Sequence, residues 1–277
     1  MISAELQSLK HESVIRLLFF FGILLLMSLW ETYAPCRRLL IPRRIRWLNN
    51  GGLLILGTVI LRAMFPLALV GVAATGANQQ WGLFYVIAIP HWQVVLLSII
   101  CLDFTTYLQH VLFHALPVLW RLHKVHHADP DFDVTTGLRF HPLEILLSMI
   151  GKISIVLLLG IPVIAVLLFE VILNATSMFN HGNVYLPSKL DCCLRWFIVT
   201  PDMHRIHHSA ITQETNSNFG FNLPWWDYLL GTYRHRPAMG YKEMIIGLTE
   251  YQKNRRVTQL HWMLILPFLK PLEKPLS

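Results

Sequence analysis

The stretch HVLFHALPVLWRLHKVHH, from His110 to His127, closes an apolar segment with five histidines. A helix places His110 and His114 on one face, because residues four positions apart are neighbours there. His123 shares a face with the following His126-His127 pair for the same reason. Imidazole is costly to bury among Val, Leu and Phe unless its nitrogens find partners. The stretch therefore predicts two helices that direct their histidines to a common site.

A third histidine group repeats this spacing further along the chain: His204, His207 and His208. The preceding Thr200-Pro201-Asp202 is typical of a helix start, with a capping hydroxyl, a proline at the first position and an acid in the first turn. Eight imidazoles buried together without a metal would lack acceptors and repel one another when protonated. A structural zinc ion needs only four ligands, so eight predict a site for two metals. Imidazole donors alone suit iron, zinc, copper or nickel.

The composition predicts a membrane protein. Hydrophobic residues make up 54% of the chain and charged residues 14%, against about 25% charged in soluble domains. A bilayer core of about 30 Å needs about 20 helical residues to cross it. Three apolar stretches suit single spans: Ser13–Trp30, Gly51–Ala74 and Val94–Leu112. A fourth, Leu143–Leu173, predicts a helical hairpin that turns at Gly160-Ile161-Pro162.

These stretches predict an all-α integral membrane protein with a single domain over residues 1–277. About four transmembrane elements, three spans and the hairpin, would carry a helical cap rich in histidine. The first span is followed by Trp30-Glu31-Thr32-Tyr33, which lacks a small-residue cleavage site. This span is therefore predicted to remain in the protein as a signal anchor.

Much of the net charge of +7 lies between the first two spans, in five arginines: Arg37, Arg38, Arg43, Arg44 and Arg46. Cytoplasmic loops carry such an excess of basic residues, which predicts a cytoplasmic position for this segment. Counting spans from there brings every histidine group to the cytoplasmic face of the membrane, which is the inner membrane if the chain is bacterial. The basic patch lacks interleaved aromatic residues and a soluble domain, so no nucleic-acid partner is expected.

Some single polar residues have predicted roles of their own. Asp103 lies on one helical stripe with Tyr107, His110 and His114, and it is predicted to accept a hydrogen bond from His110. The isolated histidines are predicted to be ordinary buried residues: His91, His235 and His261. The four cysteines show no paired spacing and predict no disulfide framework.

Three segments together resemble a known superfamily: LWRLHKVHHADPDFDVTTGLRFHPLE from Leu119, FNHGNVYLP from Phe179, and TPDMHRIHHSAITQETNSNFGFNLPWWDYLLGTYR from Thr200. In their order and spacing, residues 85–250 are similar to the fatty acid hydroxylase/sterol desaturase superfamily. The motifs look most like its bacterial sterol-desaturase-like and alkylglycerol-monooxygenase-like members. Residues 85–250 are therefore predicted to form the catalytic core.

The resemblance implies a membrane-bound non-haem di-iron oxygenase that hydroxylates or desaturates a lipid, either a fatty acyl, sterol or ether lipid. Matched onto this sequence, the implied metal ligands are His110, His114, His123, His126, His127, His181, His204, His207 and His208. His141, Asn218 and Asp227 also fall in the pattern, as further ligands or as residues that orient ligands. At this position some members of the superfamily carry a pair of histidines, whereas only His181 is evident here.

The implied cofactors are two iron ions with O2 as co-substrate, and zinc could replace iron in the isolated protein. Electrons would come from a separate donor of the cytochrome b5 or ferredoxin-reductase type, or from a pterin, because the sequence shows no flavin, haem or iron–sulfur motif. Two alternatives are a zinc-dependent membrane hydrolase and a metal-binding transporter or sensor. A hydrolase needs a glutamate as general base, and the nearest one to the histidine groups is Glu144.

Overall fold

The computed structural model describes residues 11–252 and 254–269, and the regular structure in these residues is helical. The longer helices are α1 (Glu12–Tyr33), α2 (Arg43–Met64), α3 (Ala68–Asn78), α4 (His91–Ala115), α5 (Pro117–His127), α6 (Pro142–Leu159) and α7 (Val163–Asn180). Shorter helices are α8 (Ser188–Leu194), α9 (Pro201–His207), α10 (Thr212–Thr215), α11 (Trp225–Leu229), α12 (Gly240–Glu243) and α13 (Leu260–Ile265). Short 3-10 helices lie at Leu83–Tyr85, Val134–Leu138, Thr249–Tyr251, Arg255–Thr258 and Leu266–Phe268. Pairing between extended segments is limited to isolated bridges, so the all-α prediction is confirmed for the described residues.

Five helical segments in the described residues are long and apolar enough to cross a bilayer. They are α1, the Arg43–Tyr85 segment that contains α2 and α3, α4, α6 and α7. The predicted three spans and two-legged hairpin correspond to these five segments. Much of α1 stays exposed in the fold, including Leu18 at 68% and Leu26 at 62%, as expected for side chains that face lipid.

The second span differs from its prediction as one continuous helix. Regular helix stops at Met64 and resumes at Ala68, which adopts a left-handed backbone with φ of 51°. Pro66 lies in this break, where its missing N–H and its ring prevent a helix from continuing. The span is therefore a broken helix, and α3 turns back against α6 and α7 through Leu69 and Val70.

The hairpin turns where the sequence predicts it. Gly160 follows α6 with φ of 70°, a conformation that glycine adopts without a Cβ clash, and Pro162 precedes α7. Its two legs pack on α4 through a buried apolar cluster that includes Leu102, Val156 and Phe169. This packing fixes the end of α4 beside the open end of the hairpin.

A buried arginine ties the membrane bundle to the loop after the second histidine group. Arg46, fully buried on α2, donates from Nε to Asp133 at 2.9 Å and pairs with Asp129. Its remaining nitrogen donates to Thr136 Oγ1 at 3.0 Å. The prediction that all five arginines form a basic loop is wrong for Arg46, because this side chain lies inside the protein. Its partners are carboxylates more than 80 residues further along the chain.

Replacing Arg46 with methionine should destabilise the fold strongly, because two buried carboxylates lose their cation. We expect the free energy of unfolding to fall by about 3–5 kcal/mol, the cost of removing one partner of a buried pair. The thermal midpoint of the detergent-solubilised protein measures the effect. Arg44→Met removes the same charge from an exposed position of the same helix and is the control. Equal midpoints for the two variants would contradict the role given to Arg46.

Candidate metal centre

All nine histidines of the predicted ligand set meet at one end of the bundle. They form two groups, and within each group the ligand atoms lie within 4.8 Å of one another. The five-histidine cluster contains His110, His114, His123, His127 and His207. The four-histidine cluster contains His126, His181, His204 and His208. The structure thus brings together what the sequence distributes over about a hundred residues.

Two short helices contribute to both clusters. On α5, His123 and His127 belong to the five-histidine cluster, while His126 belongs to the other. On α9, His207 joins the five-histidine cluster, whereas its neighbours in the motif, His204 and His208, join the other. The predicted helix start at Thr200 is confirmed, since its side chain accepts from Met203 N at 3.2 Å. Because each motif is shared in this way, the two clusters cannot move independently.

Hydrogen bonds at Nδ1 orient several of the rings. His110 donates from Nδ1 to the carbonyl of Phe219 at 2.7 Å, and His207 donates to that of Ser217 at 2.7 Å. His181 donates to its own helix, at Ser177 O, also at 2.7 Å. A ring that donates from Nδ1 carries its lone pair on Nε2, which here points into a cluster. This arrangement is typical of histidines that bind a metal through Nε2.

The inward nitrogens lack protein donors and approach one another closely. The Nε2 atoms of His181 and His126 are 3.1 Å apart, and those of His181 and His204 are 3.0 Å apart. Both ring nitrogens of His127 and of His208 have no hydrogen-bond partner among the described residues. Since metal–imidazole bonds are about 2.0–2.1 Å long, two ligands at right angles on one ion place their nitrogens about 3 Å apart. The donor set therefore fits bound metal.

Burial favours the neutral form of the imidazoles in the four-histidine cluster. It lowers the pKa of His181 to about 3, and it lowers the pKa of His204 and of His208 well below the usual value, with a further contribution from neighbouring histidines. A neutral ring has a free lone pair for a metal, whereas a protonated ring has none. Without bound cations, burying these rings would cost free energy, because their inward nitrogens would remain unpaired.

Asn218 and Asp227 act on the ligands through the backbone. Asn218, in a left-handed conformation with φ of 53°, lies between the two carbonyls that accept from His207 and His110. Its side chain donates to Met203 O and Arg234 O, each at 3.0 Å. Asp227 accepts from the N–H groups of Phe219 and Gly220, both at 2.8 Å. Both side chains therefore hold the loop whose carbonyls orient the rings, and neither belongs to a cluster.

The predicted role of Asp103 is wrong. Its Oδ2 accepts from the indole of Trp226 at 2.7 Å and from Leu223 N at 3.3 Å, while His110 Nδ1 is engaged by Phe219. Asp103 lies two helical turns before His110 on α4, so a straight helix keeps the carboxylate away from the ring. It anchors the aromatic segment of α11 to α4 instead.

His141 has a structural role outside both clusters, whereas three isolated histidines differ from their predictions. His141 caps α6, with Nδ1 accepting from Leu143 N at 3.2 Å, and it lies outside both clusters. The histidines expected in the core are exposed: His91, His235 and His261. Isolated residues lack the periodic signal that identified the clustered histidines.

Glu144 has a position that the sequence did not indicate. Its Oε1 lies 2.6 Å from Nδ1 of His123, so the carboxylate accepts the hydrogen bond that orients this ring. From sequence alone, the only role expected for Glu144 is that of a general base in a hydrolase. The two residues are 21 positions apart, and no local spacing connects the start of α6 to the middle of α5.

A cavity of about 260 Å³ leads from the five-histidine cluster into the membrane bundle. His110, His123 and Glu144 lie at one end, with Phe140 and Phe221 beside them. Side chains of α2, α4, α6 and α7 line the remainder, among them Leu61, Met149 and Leu173. The clusters therefore have a mostly apolar chamber on their membrane side.

Comparison with known proteins identifies a matching family. Residues 95–232 match the family described as fatty acid hydroxylase. Ornithine lipid hydroxylase OlsE from Rhizobium tropici is 32% identical over 211 residues, which cover 73% of the chain and 59% of that protein. Both clusters lie within the matched residues.

Two animal proteins match over shorter parts of their length. Alkylglycerol monooxygenase from Xenopus tropicalis is 25% identical over 194 residues, or 66% of the chain and 41% of that protein. Alkylglycerol monooxygenase from Homo sapiens is 27% identical over 152 residues, or 53% of the chain and 31% of that protein. The chain therefore spans between 31% and 59% of the length of these relatives. No solved structure matches it.

Loss of the Glu144 carboxylate should weaken metal binding. In Glu144→Ala the His123 ring loses its acceptor, and we expect metal affinity to fall about 10–100-fold, as when an outer partner of a ligand is removed. Glu144→Gln is the matched control, because its amide oxygen can still accept from Nδ1 and should retain most of the affinity. The rate of metal loss to a chelator measures the difference. If both variants lost metal as slowly as the unchanged protein, the orienting role would be wrong.

Proposed function

The chain belongs to the fatty acid hydroxylase family, and from this premise we propose that it is a membrane-bound oxygenase that hydroxylates or desaturates a lipid. The observation that carries the proposal is the pair of imidazole clusters at the mouth of a chamber inside the membrane bundle. A lipid chain entering this chamber would bring a C–H bond to the five-histidine cluster, whose His110 and His123 line it.

We propose two iron ions as the metals, one in each cluster. Bound there, they would supply the redox chemistry that activates O2 towards a C–H bond. Nine imidazoles and no thiolate suit iron or zinc, and zinc could occupy the clusters in isolated protein. The ligands are the nine clustered histidines, and no further residue is proposed to take part in the chemistry.

The protein's own residues would keep the reaction site rigid and shielded from water. Carbonyls of the Ser217–Gly220 loop and the Glu144 carboxylate hold ligand rings in one orientation. Phe140 stacks on His126 with ring centres 4.5 Å apart, and Phe132 lies 5.6 Å from His181. Such packing preorganises the ligands and excludes competing reactions with solvent.

The substrate is proposed to be a lipid taken from the bilayer. The names of the relatives point to polar lipids, since one is an ornithine lipid hydroxylase and the others are alkylglycerol monooxygenases. Hydroxylation by O2 also consumes two electrons and two protons, and it releases one water. These electrons are proposed to come from a separate cytochrome b5 or ferredoxin-type partner, or from a pterin.

The alternatives have less support from the geometry. A zinc hydrolase needs a carboxylate beside the metal-bound water, whereas Glu144 contacts His123 at Nδ1, and the nitrogen of His123 that faces the cluster is Nε2. A transporter or sensor must release its metal, whereas eight of the nine histidines are buried and both clusters are built from several helices. Neither alternative explains the apolar chamber beside the five-histidine cluster.

An isotope experiment separates an oxygenase from a hydrolase. With ¹⁸O2 and a reductant, hydroxylated lipid should carry one ¹⁸O atom, and desaturated lipid should form only when O2 is present. His207→Ala should lose metal and activity together, because it removes one of five ligands from a cluster. His235→Ala, an exposed histidine outside both clusters, is the control. Turnover without O2, or a hydroxylated product whose new oxygen comes from water and not from ¹⁸O2, would reject the oxygenase.

The histidine-rich cap is proposed to face the cytoplasm, on the basis of four arginines outside the core, two in the loop after α1 and two in the first turn of α2. Cys192 and Cys193 are exposed on α8 and report on this directly. In bacterial spheroplasts, a membrane-impermeant maleimide should label them only after permeabilisation. A variant with serine at both positions corrects for labelling of Cys36 and Cys101. Labelling in sealed spheroplasts would reverse the topology.

A further inference from the structure

The chamber has a polar stripe that an oxygenase for plain hydrocarbon does not need. On α6, Glu144, Ser148 and Lys152 follow one another at four-residue intervals and all line the chamber. On α7, Glu170, Asn174 and Ser177 line it from the other side. The stripe thus runs from the partner of His123 into the middle of two membrane helices. Ionisable residues in such positions usually mark the path or site of a polar ligand.

Lys152 is the cation of this stripe, and it has no partner among the described residues. Its ammonium makes no hydrogen bond, and no ion pair within 4 Å, with the part of the chain that the structure describes. Its polar neighbours one turn away already bond each other, since Gln109 donates to Ser148 O at 3.2 Å and Ser148 donates to Gln109 Oε1 at 3.0 Å. An ammonium in a chamber of membrane helices is costly unless an anion joins it.

Two carboxylates line the chamber, and both are engaged elsewhere. Glu170 accepts from Arg16 of α1 at 2.7 Å, and Arg16 also contacts Glu12 at 3.1 Å. Glu144 bonds His123 through Oε1. Neither carboxylate therefore forms an ion pair with Lys152, and a single anionic group placed at Lys152 would neutralise its ammonium.

We propose that Lys152 binds an anionic oxygen group, a carboxylate or phosphate, of the lipid substrate. This assignment rests on the proposed oxygenase function. Eight residues of helix separate Lys152 from Glu144, which is about 12 Å along α6. An anion held at Lys152 therefore fixes which carbon of the lipid reaches His110 and His123. The site favours ionised lipids over neutral sterols, and Lys152 determines specificity without touching the metals.

Binding measured in the absence of turnover tests this proposal. The metal-loaded full chain in nanodiscs is titrated, without O2 or reductant, with a spin-labelled long-chain carboxylic acid and with its methyl ester. The acid should bind at least about tenfold more tightly than the ester, the value of one charged hydrogen bond. Lys152→Met should remove this preference and leave ester binding unchanged, whereas Lys152→Arg should retain it.

Controls separate the possible failures. Lys189→Met removes the same kind of charge from an exposed position and should leave both affinities unchanged. Metal content and thermal midpoint, equal in all variants, show that Lys152→Met is folded.

Equal affinity for acid and ester, or an unchanged preference in Lys152→Met, would overturn the assignment. Displacement of the acid by millimolar inorganic phosphate would also overturn it, since the site would then take free anions rather than lipid. Because no turnover is involved, these results do not depend on the isotope experiment.

Discussion

Nine imidazoles in two adjoining clusters, eight of them buried, impose the constraint on which the rest of the structure depends. Neutral rings can share a cation only if each turns a lone pair inwards, so their outer nitrogens need acceptors. These acceptors come from distant parts of the chain: the Phe219 and Ser217 carbonyls, the Glu144 carboxylate, and Ser177 O one turn before His181. The end of α4, the start of α6, the end of α7 and the loop before α11 must therefore meet at one place.

The membrane bundle provides the rigidity for this meeting. Arg46 on α2 holds Asp129 and Asp133, the carboxylates that follow the second histidine group, and so fixes the end of α5 to the bundle. Gly137 in the same loop approaches His181 so closely that an added Cβ would lie 3.1 Å from its Nδ1. Charged side chains thus lie inside the protein at two places. The guanidinium of Arg46 has partners at all its nitrogens, whereas the ammonium of Lys152 has none among the described residues. Of the two, only Lys152 lines the chamber.

Helices α5 and α9 each carry histidines of both clusters, so the positions of the two clusters are linked. Each helix presents neighbouring histidines to different clusters, so a shift of either helix changes both coordination sets. In the proposed oxygenase, an oxidant built from two ions would need such a fixed separation, whereas two independent structural sites would not. The chamber begins beside the five-histidine cluster, so the proposed lipid would lie nearest to that cluster.

Local periodicity and composition are enough to predict several features. These are the helical class, the apolar spans, the turn at Gly160, the helix start at Thr200 and eight of the nine clustered histidines, whereas His181 follows only from the resemblance to the superfamily. Tertiary structure is needed to know which histidine joins which cluster, that Glu144 orients His123, that Asp103 binds Trp226 rather than His110, and that Arg46 is buried. These contacts join residues far apart in the chain, and several use backbone carbonyls, which every residue carries and no side-chain pattern reveals. The packing of the helices sets the distances between these residues, so the contacts can be identified only in the folded chain.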